Sequence, residues 1–251
     1  MKNKNDYKHF SDENEVKSRD EMKSLLDNCP IPNDQLLDNI GLFIDSKKLS
    51  RILFLNHLYK KIIDFQGVIF DFGTRWGQNA AVFSALRGMY EPFNRHRKIV
   101  AFDTFEGFPS LDKKDGNSDL MSVGNVSTSE NYELYLKKIL SIHQKLNPLS
   151  HIEKNEIVKG DTSVELENYL TKNPHTIVSL AYFDFDIYTP TKKCLELILS
   201  RLTKGSVIGF DELNDPDSPG ETLALMETLG LGKYSIRRYR YASRVSYLIV
   251  E

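Results

Sequence analysis

The stretch "GVIFDFGTRWGQNAAVFSALRGM", residues 67–89, decides the fold class of this chain. It opens with a short apolar run that predicts a buried strand, which ends near Asp71 and Gly73. Residues 77–89 then have the pattern of a helix, which we expect to end at Gly88. A strand joined to a helix through a glycine turn is the repeating unit of an α/β protein with a parallel sheet.

The same alternation continues to the end of the chain. Further strands are predicted at "KIVAFD" (98–103), "EIVKGD" (156–161), "TIVSLAYFD" (176–184), "SVIGFDE" (206–212), "YSIRRYRY" (234–241) and "RVSYLIVE" (244–251). Helices separate the first five strands, and we expect the helix before the fifth strand to run as far as Gly205. The last two strands are too close for a crossover helix, which predicts that they pair antiparallel.

We therefore predict a Rossmann-like α/β fold of the class I methyltransferase layout. Its sheet is mostly parallel and seven-stranded, with helices on both faces and an antiparallel last strand. Residues 1–65 are predicted to form an N-terminal arm and a helical extension, with the clearest helix from Lys47 to Phe65. Residues 66–251 are predicted to form the α/β domain.

The composition narrows the functional classes. The 251 residues are 40% hydrophobic and 27% charged with a net charge of −2, which argues against a general nucleic-acid binder. No run reaches the roughly 18 apolar residues of a membrane span, and the polar N-terminus does not resemble a signal peptide. Cys29 and Cys194 lie in no metal-binding pattern. We expect a reduced, cytoplasmic protein without structural zinc.

Every predicted parallel strand ends in an acid, and ligands of such sheets bind beyond these ends. In "FDFGTRWGQN" (70–79), Arg75 stands where a dinucleotide-binding motif has its middle glycine, and Asp71 would repel a phosphate. Both features favour S-adenosylmethionine, a cationic cofactor without phosphate, over a nicotinamide dinucleotide. Asp103 is suited to the ribose hydroxyls. The predicted cofactor contacts are Asp71, Gly73, Thr74, Arg75, Gly77, Asp103, Thr104, Phe105, Asp161, Thr162 and Asp184.

A second cluster of acids follows the fourth and fifth strands. Asp184 and Asp211 are separated by one β-α-β unit, so their strands should be neighbours, and Glu212 follows directly. Without a lysine or arginine nearby, three converging carboxylates would repel each other unless a divalent cation joined them. Oxygen ligands indicate Mg²⁺, with Mn²⁺ or Ca²⁺ as alternatives. Solvated acids at strand ends are the simpler alternative. Three roles remain open for Asp186: accepting a proton, contacting the sugar that accepts the methyl group, or capping the following helix.

Four segments resemble the macrocin O-methyltransferase (TylF-like) family. They are "VIFDFGTRWG" (68–77), "VAFDTFEGFP" (100–109), "YFDFDIYTPT" (182–191) and "GSVIGFDELNDPDSPGETLAL" (205–225). Members are class I S-adenosylmethionine-dependent methyltransferases, typically dependent on Mg²⁺, that methylate sugar hydroxyls. The resemblance implies Asp103 at the ribose and Asp184, Asp211 and Glu212 at the metal. The family usually has Asp where Glu212 stands, and the histidine-containing lid of antibiotic-tailoring members is absent after "FEGFP".

The sequence hypothesis is therefore a metal-assisted O-methyltransferase in which Asp184 and Asp186 are the candidate catalytic residues. The acceptor would be a sugar hydroxyl on a nucleotide-linked deoxyhexose or on a capsule or other surface glycan. The alternatives are an amine or phosphate acceptor in surface-polysaccharide biosynthesis, or a non-catalytic relative that binds S-adenosylmethionine. Arg244 and the arginines before it form either a solvated edge strand or a site for an acceptor's phosphates. A homodimer or higher homo-oligomer is expected, with no nucleic-acid partner.

Overall fold

The computed structural model describes residues 11–251. Within this part of the chain, the helices before the sheet are α1 (Glu13–Asp27), α2 (Asn33–Leu36) and α3 (Ser46–Ile62), with a 3-10 segment at Leu37–Phe43. Asp12 caps α1 through a hydrogen bond from the backbone N–H of Glu15. The polar arm predicted for the N-terminus lies partly in residues 1–10, outside the described residues.

Strands and helices then alternate, as predicted. The elements are β1 (Val68–Phe72), α4 (Gln78–Tyr90), β2 (Ile99–Asp103), α5 (Tyr132–Lys145), β3 (Asn155–Lys159), α6 (Thr162–Lys172), β4 (Val178–Phe183), α7 (Tyr188–Ile198), β5 (Leu202–Phe210), α8 (Gly220–Thr228), β6 (Arg237–Arg238) and β7 (Ser246–Ile249). Two predicted helix ends are wrong. Helix α4 continues past Gly88 to Tyr90. Helix α7 is expected to run as far as Gly205 but ends at Ile198, and Gly205 lies inside β5.

Within residues 11–251 the sheet has seven strands in the order β3-β2-β1-β4-β5-β7-β6. The first five are parallel, and β7 is antiparallel to β5 and β6. The mostly parallel seven-stranded sheet with an antiparallel last strand is therefore confirmed. In the part of the chain that is described, no helix is long and apolar enough to cross a membrane.

Two hydrophobic clusters cover the two faces of the sheet. One joins α3, α4 and α5 to alternate strand residues such as Ile69, and the other joins α6, α7 and α8 to the residues between them, such as Phe70 and Phe72. Helix α3 contributes five fully buried side chains to the first cluster, namely Phe54, Leu55, Leu58, Tyr59 and Ile62. The helix that ends the predicted extension therefore packs directly on the sheet, close to the strand ends.

Candidate functional site

The carboxyl ends of β1, β2, β4 and β5 meet at one edge of the sheet and border a cavity of about 350 Å³. This is the edge predicted to bind ligands. The charged residues that line it are Arg51, Arg75, Asp103, Asp161, Asp184, Asp186, Asp211, Glu212 and Arg244. Acids therefore outnumber basic residues along the wall of this cavity, which gives it a negative character.

The turn after β1 is held from below by Asp71. This side chain is fully buried and accepts hydrogen bonds from the Thr74 hydroxyl (2.6 Å) and the Asn79 amide (3.3 Å). Burial raises the pKa of Asp71 to about 6. Gly73, at φ +75°, lies so close to β4 that a Cβ atom there would be 2.0 Å from the carbonyl oxygen of Asp184. The two strand ends can therefore approach each other only with glycine at this position.

At the end of β2, Asp103 is oriented by backbone N–H groups. Its two carboxylate oxygens accept hydrogen bonds from the N–H of Arg75 (2.8 Å) and of Phe105 (2.5 Å). Burial raises the pKa of this carboxyl, while the two N–H groups favour its ionised form. The side chain is thus fixed at the cavity wall with its remaining lone pairs available to a ligand.

Most residues predicted to contact the cofactor line the cavity, namely Gly73, Thr74, Arg75, Asp103, Thr104, Asp161, Thr162 and Asp184. Three do not. Asp71 is fully buried beneath the turn, Gly77 packs against Leu136 at the start of α4, and the Phe105 side chain belongs to the hydrophobic core. These three residues support the turn and the loop instead of lining the space that a ligand would occupy.

The acids after β4 and β5 lie together, but the assumption that no cation is near them is wrong. Arg51 of α3 donates from Nη1 to Oδ1 of Asp211 (2.6 Å) and from Nη2 to Oδ2 of Asp184 (2.5 Å). Asp211 also accepts a hydrogen bond from the Tyr182 hydroxyl at 2.7 Å. Burial and the charge of Asp211 raise the pKa of Asp184, while Arg51 opposes this shift. The sequence could not reveal this pairing, because Arg51 is 133 residues from Asp184 in the chain.

Glu212 is held by a second arginine. Its Oε2 accepts a hydrogen bond from Arg244, which also contacts Asp215 at 2.9 Å. The other oxygen, Oε1, is buried and has no hydrogen-bond partner. Glu221, fully buried at the start of α8, accepts a hydrogen bond from the N–H of Phe185 (2.8 Å) and so supports the turn between Asp184 and Asp186.

Asp186 lies in this turn with a left-handed backbone (φ +62°), so β4 does not continue through it as an extended strand. Nevertheless, carboxylate oxygens of Asp184, Asp186 and Glu212 lie within 4.8 Å of one another. Such a group of oxygens can hold a divalent cation. This set differs from the predicted one, because it contains Asp186 in place of Asp211, whose Oδ1 receives hydrogen bonds from Arg51 and Tyr182.

Three residues of the site were missed in the sequence: Arg51, Asn79 and Tyr182. Glu221, an acid just after Pro219-Gly220, fits in the sequence either a cap at the start of its helix or a contact to acceptor or metal. The three missed residues lie within a helix or a strand whose pattern reports burial and periodicity, not the direction of one polar group. Their roles depend on how α3 and α4 pack against the sheet.

Comparison with solved structures supports the fold and indicates the family of this chain. No family model matches the sequence, and no curated protein matches it. Among solved structures, the calicheamicin methyltransferase CalS11 is 38% identical, with a TM-score of 0.94 over 96% of this chain and 94% of that chain. The apo structure of CalS11, a TDP-rhamnose 3'-O-methyltransferase of calicheamicin biosynthesis, is 36% identical, with a TM-score of 0.85 over 96% of both chains.

The O-methyltransferase NovP is 14% identical, with a TM-score of 0.60 over 80% of this chain and 79% of that chain, and it supports the fold alone. The similarity to CalS11 is stronger evidence, because the identity exceeds a third over nearly the whole of both chains. It therefore indicates the family as well as the fold. The fold, the strand ends and this similarity agree with each other. The chain belongs to the macrocin O-methyltransferase (TylF-like) family of class I S-adenosylmethionine-dependent methyltransferases.

Proposed function

We propose that this protein transfers the methyl group of S-adenosylmethionine to a hydroxyl of a sugar, with the assistance of a divalent cation. The observation that carries the proposal is a single cavity with two different ends. Strand-end residues suited to the methyl donor, such as Asp103, line the same space as the acids Asp184, Asp186 and Glu212. Donor and acceptor can therefore be held side by side, as a direct methyl transfer requires.

The lining of the cavity suits the donor. Its six carboxylates exceed its three arginines, which for the donor favours a cofactor with a sulfonium and an ammonium group over a nicotinamide dinucleotide. We assign Asp103 to the ribose hydroxyls and the backbone around Gly73 and Thr74 to the amino-acid portion of the donor. Asp161 and Thr162, at the start of α6, are assigned to the adenine.

The acidic end suits a metal ion. Oε1 of Glu212 is a buried oxygen without a hydrogen-bond partner, and such an atom is unfavourable unless something binds it. Carboxylate oxygens of Asp184, Asp186 and Glu212 lie within 4.8 Å of one another. We propose that these three residues hold Mg²⁺ or a similar ion. When bound, such an ion would lower the pKa of the acceptor hydroxyl and help to orient it.

The acceptor side is assigned to the residues around Asp186. Asp186 lines the cavity, and we assign proton acceptance to whichever of its two oxygens does not bind the ion, while Asp184 is tied to Arg51 and Asn79. CalS11 acts on TDP-rhamnose, and we propose a nucleotide-linked deoxyhexose here as well. Arg244, whose side chain is half exposed at the cavity, supports a phosphate-bearing acceptor. A sugar unit of a surface glycan is the second candidate.

The test is an acceptor screen with methyl-labelled S-adenosylmethionine. TDP-rhamnose, free rhamnose, an amine and a sugar phosphate are each incubated with the enzyme in Mg²⁺ or in EDTA. We expect transfer to the nucleotide sugar that EDTA reduces strongly. Asp186→Asn and Glu212→Gln should lower this activity at least tenfold, whereas the control Asp217→Asn, at an exposed site off the cavity, should retain it. Transfer to the amine or phosphate alone would contradict a sugar acceptor, and binding without any transfer would support a non-catalytic relative.

A further inference from the structure

Arg51 is a cation built into the acidic end of the cavity. It is carried by α3, outside the predicted methyltransferase domain, yet its guanidinium joins the strand ends of β4 and β5. We propose that Arg51 competes with a divalent cation for the carboxylates of Asp184 and Asp211 and lowers the affinity of the site for that ion. This inference rests on the proposed metal-assisted function, and it assigns a separate role to a residue of the N-terminal helices.

The geometry of the pairing is that of a guanidinium fork. Nη1 and Nη2 donate to one oxygen each of Asp211 and Asp184, at 2.6 and 2.5 Å, and Nε and Nη2 lie 3.3 Å from Oδ1 of Asn79. The Arg51 side chain is only 29% exposed, so solvent screens these charge-assisted bonds weakly. A lysine, with a single charged nitrogen, does not match this two-carboxylate arrangement as well.

Arg51 occupies one oxygen of each of two acids. Oδ1 of Asp211 receives hydrogen bonds from Arg51 and Tyr182, and binding an ion there would break or crowd them. Oδ2 of Asp184 is bonded to Arg51 in the same way, although this residue belongs to the group of acids, with Asp186 and Glu212, whose oxygens lie within 4.8 Å of one another. An ion at this end of the cavity would therefore compete with the guanidinium.

A fixed positive charge bonded to one ligand must weaken the binding of a doubly charged cation at that ligand. Arg51 thus neutralises part of the excess negative charge before any ion arrives. The alternative is that Arg51 only fastens α3 to the sheet. A fastening role predicts a loss of stability on substitution, with no gain in metal affinity. The two roles therefore differ in a quantity that can be measured directly.

The experiment measures Mn²⁺ binding to the full chain without S-adenosylmethionine, by electron paramagnetic resonance of free Mn²⁺ and by calorimetry. We expect Arg51→Gln to bind Mn²⁺ about tenfold more tightly than the parent, or tighter still. Arg51→Lys, which keeps the charge, should stay within about threefold of the parent. Lys48→Gln is the matched control, because Lys48 lies on the same helix but pairs with Asp45 away from the cavity. It should leave the affinity unchanged.

Unchanged or weaker binding by a folded Arg51→Gln variant, as judged by circular dichroism, would overturn the proposal. If that variant does not fold, a tenfold change in either direction for Arg51→Lys would overturn it as well. If the parent binds no Mn²⁺ but Arg51→Gln does, the role of Arg51 stands and metal assistance fails. If neither binds, both fail.

Discussion

At the scale of single residues, Gly73 has the strictest steric requirement at the site. Its φ is +75°, and a Cβ atom would lie 2.0 Å from the carbonyl oxygen of Asp184. Gly124 provides a matched control, because it has φ +77° but nothing within 4 Å of the same position. We expect Gly124→Ala to destabilise the fold by about 1 kcal/mol through its backbone conformation alone.

Gly73→Ala should destabilise the protein by clearly more, at least about 3 kcal/mol, because β1 and β4 must also separate. Urea denaturation of both variants measures the difference. Since Asp184 would move, Gly73→Ala should also reduce methyl transfer in any fraction that folds. Equal losses of stability in the two variants would show that the close approach of the strands is unimportant.

Asp71 predicts a dependence of stability on pH. Burial raises its pKa in the folded protein to about 6 from an ordinary value of 3.8, so the folded state binds the proton more tightly than the unfolded state does. The contribution of Asp71 to stability therefore falls as the pH rises from about 4 to about 6, by about 3 kcal/mol in total.

The Asp71→Asn variant tests this dependence, because its amide does not titrate. The free energy of unfolding of the parent minus that of the variant should decrease from about pH 4 to about pH 6. Urea denaturation at several pH values measures this difference. A difference that stays constant from pH 4 to pH 6 would mean that Asp71 does not titrate as described.

At the scale of elements, Arg97 joins α3 and α4 to the sheet. It is 1% exposed, pairs with Glu91 at 2.8 Å, and donates to the carbonyl oxygens of Ile62 and Gly67 at 2.9 and 2.6 Å. Replacing it with methionine leaves Glu91 buried without its partner and several carbonyl oxygens without a donor. We expect Arg97→Met to lose about 3–5 kcal/mol of stability.

The control for this prediction is Arg95→Gln, two residues earlier and exposed, which should change stability by less than about 0.5 kcal/mol. Urea denaturation compares the two variants with the parent. Because Arg97 holds α3 in place, its loss should also loosen the contact of Arg51 with the acids. A stability loss for Arg97→Met no larger than for Arg95→Gln would contradict this role.

Local sequence patterns predicted the strands of this protein more accurately than the ends of its helices. Apolar runs identified the five parallel strands, because their alternate side chains pack into the hydrophobic clusters on the two faces of the sheet. Helix ends were less accurate. Gly88 lies inside α4, where its missing side chain leaves room for Asn147. A glycine ends a helix where its backbone turns left-handed, and Gly88 does not have a positive φ.

At the scale of the whole molecule, the boundary between extension and domain can be tested by truncation. Helices α1 and α2 and the 3-10 segment contain no buried residues, whereas α3 contributes a full face to the core. Its fully buried residues are Phe54, Leu55, Leu58, Tyr59 and Ile62. Their burial stabilises the fold by on the order of 10 kcal/mol, comparable with the net stability of a typical domain.

We expect a chain of residues 44–251 to unfold cooperatively with nearly the stability of the parent. A chain of residues 66–251, which matches the predicted domain, should fail to fold, because the core under α3 would be exposed. Circular dichroism and urea denaturation distinguish the two outcomes. A cooperative transition for residues 66–251 would show that α3 is dispensable and that the predicted boundary is an independent one.

The sequence alone determined the order of elements, the layout of the sheet and the acids at its strand ends. These features follow from local apolar periodicity and from the rule that parallel strands bring their carboxyl ends to one edge. Asp103 and Asp184 could be assigned to the site for that reason. The resemblance of four short segments to the macrocin O-methyltransferase family indicated the reaction, methyl transfer to a sugar hydroxyl.

Only the tertiary structure decided how the charges at that edge are balanced. Arg51 reaches Asp211 across 160 residues of sequence, and this contact depends on the packing of α3 on the sheet. Tyr182 of the neighbouring strand β4 gives Asp211 a second hydrogen-bond donor, and the turn at Asp186 leaves the Asp186 carboxylate near Glu212. Periodicity reports which face of an element is buried, whereas the partner of a single polar group is set by how whole elements are arranged around it.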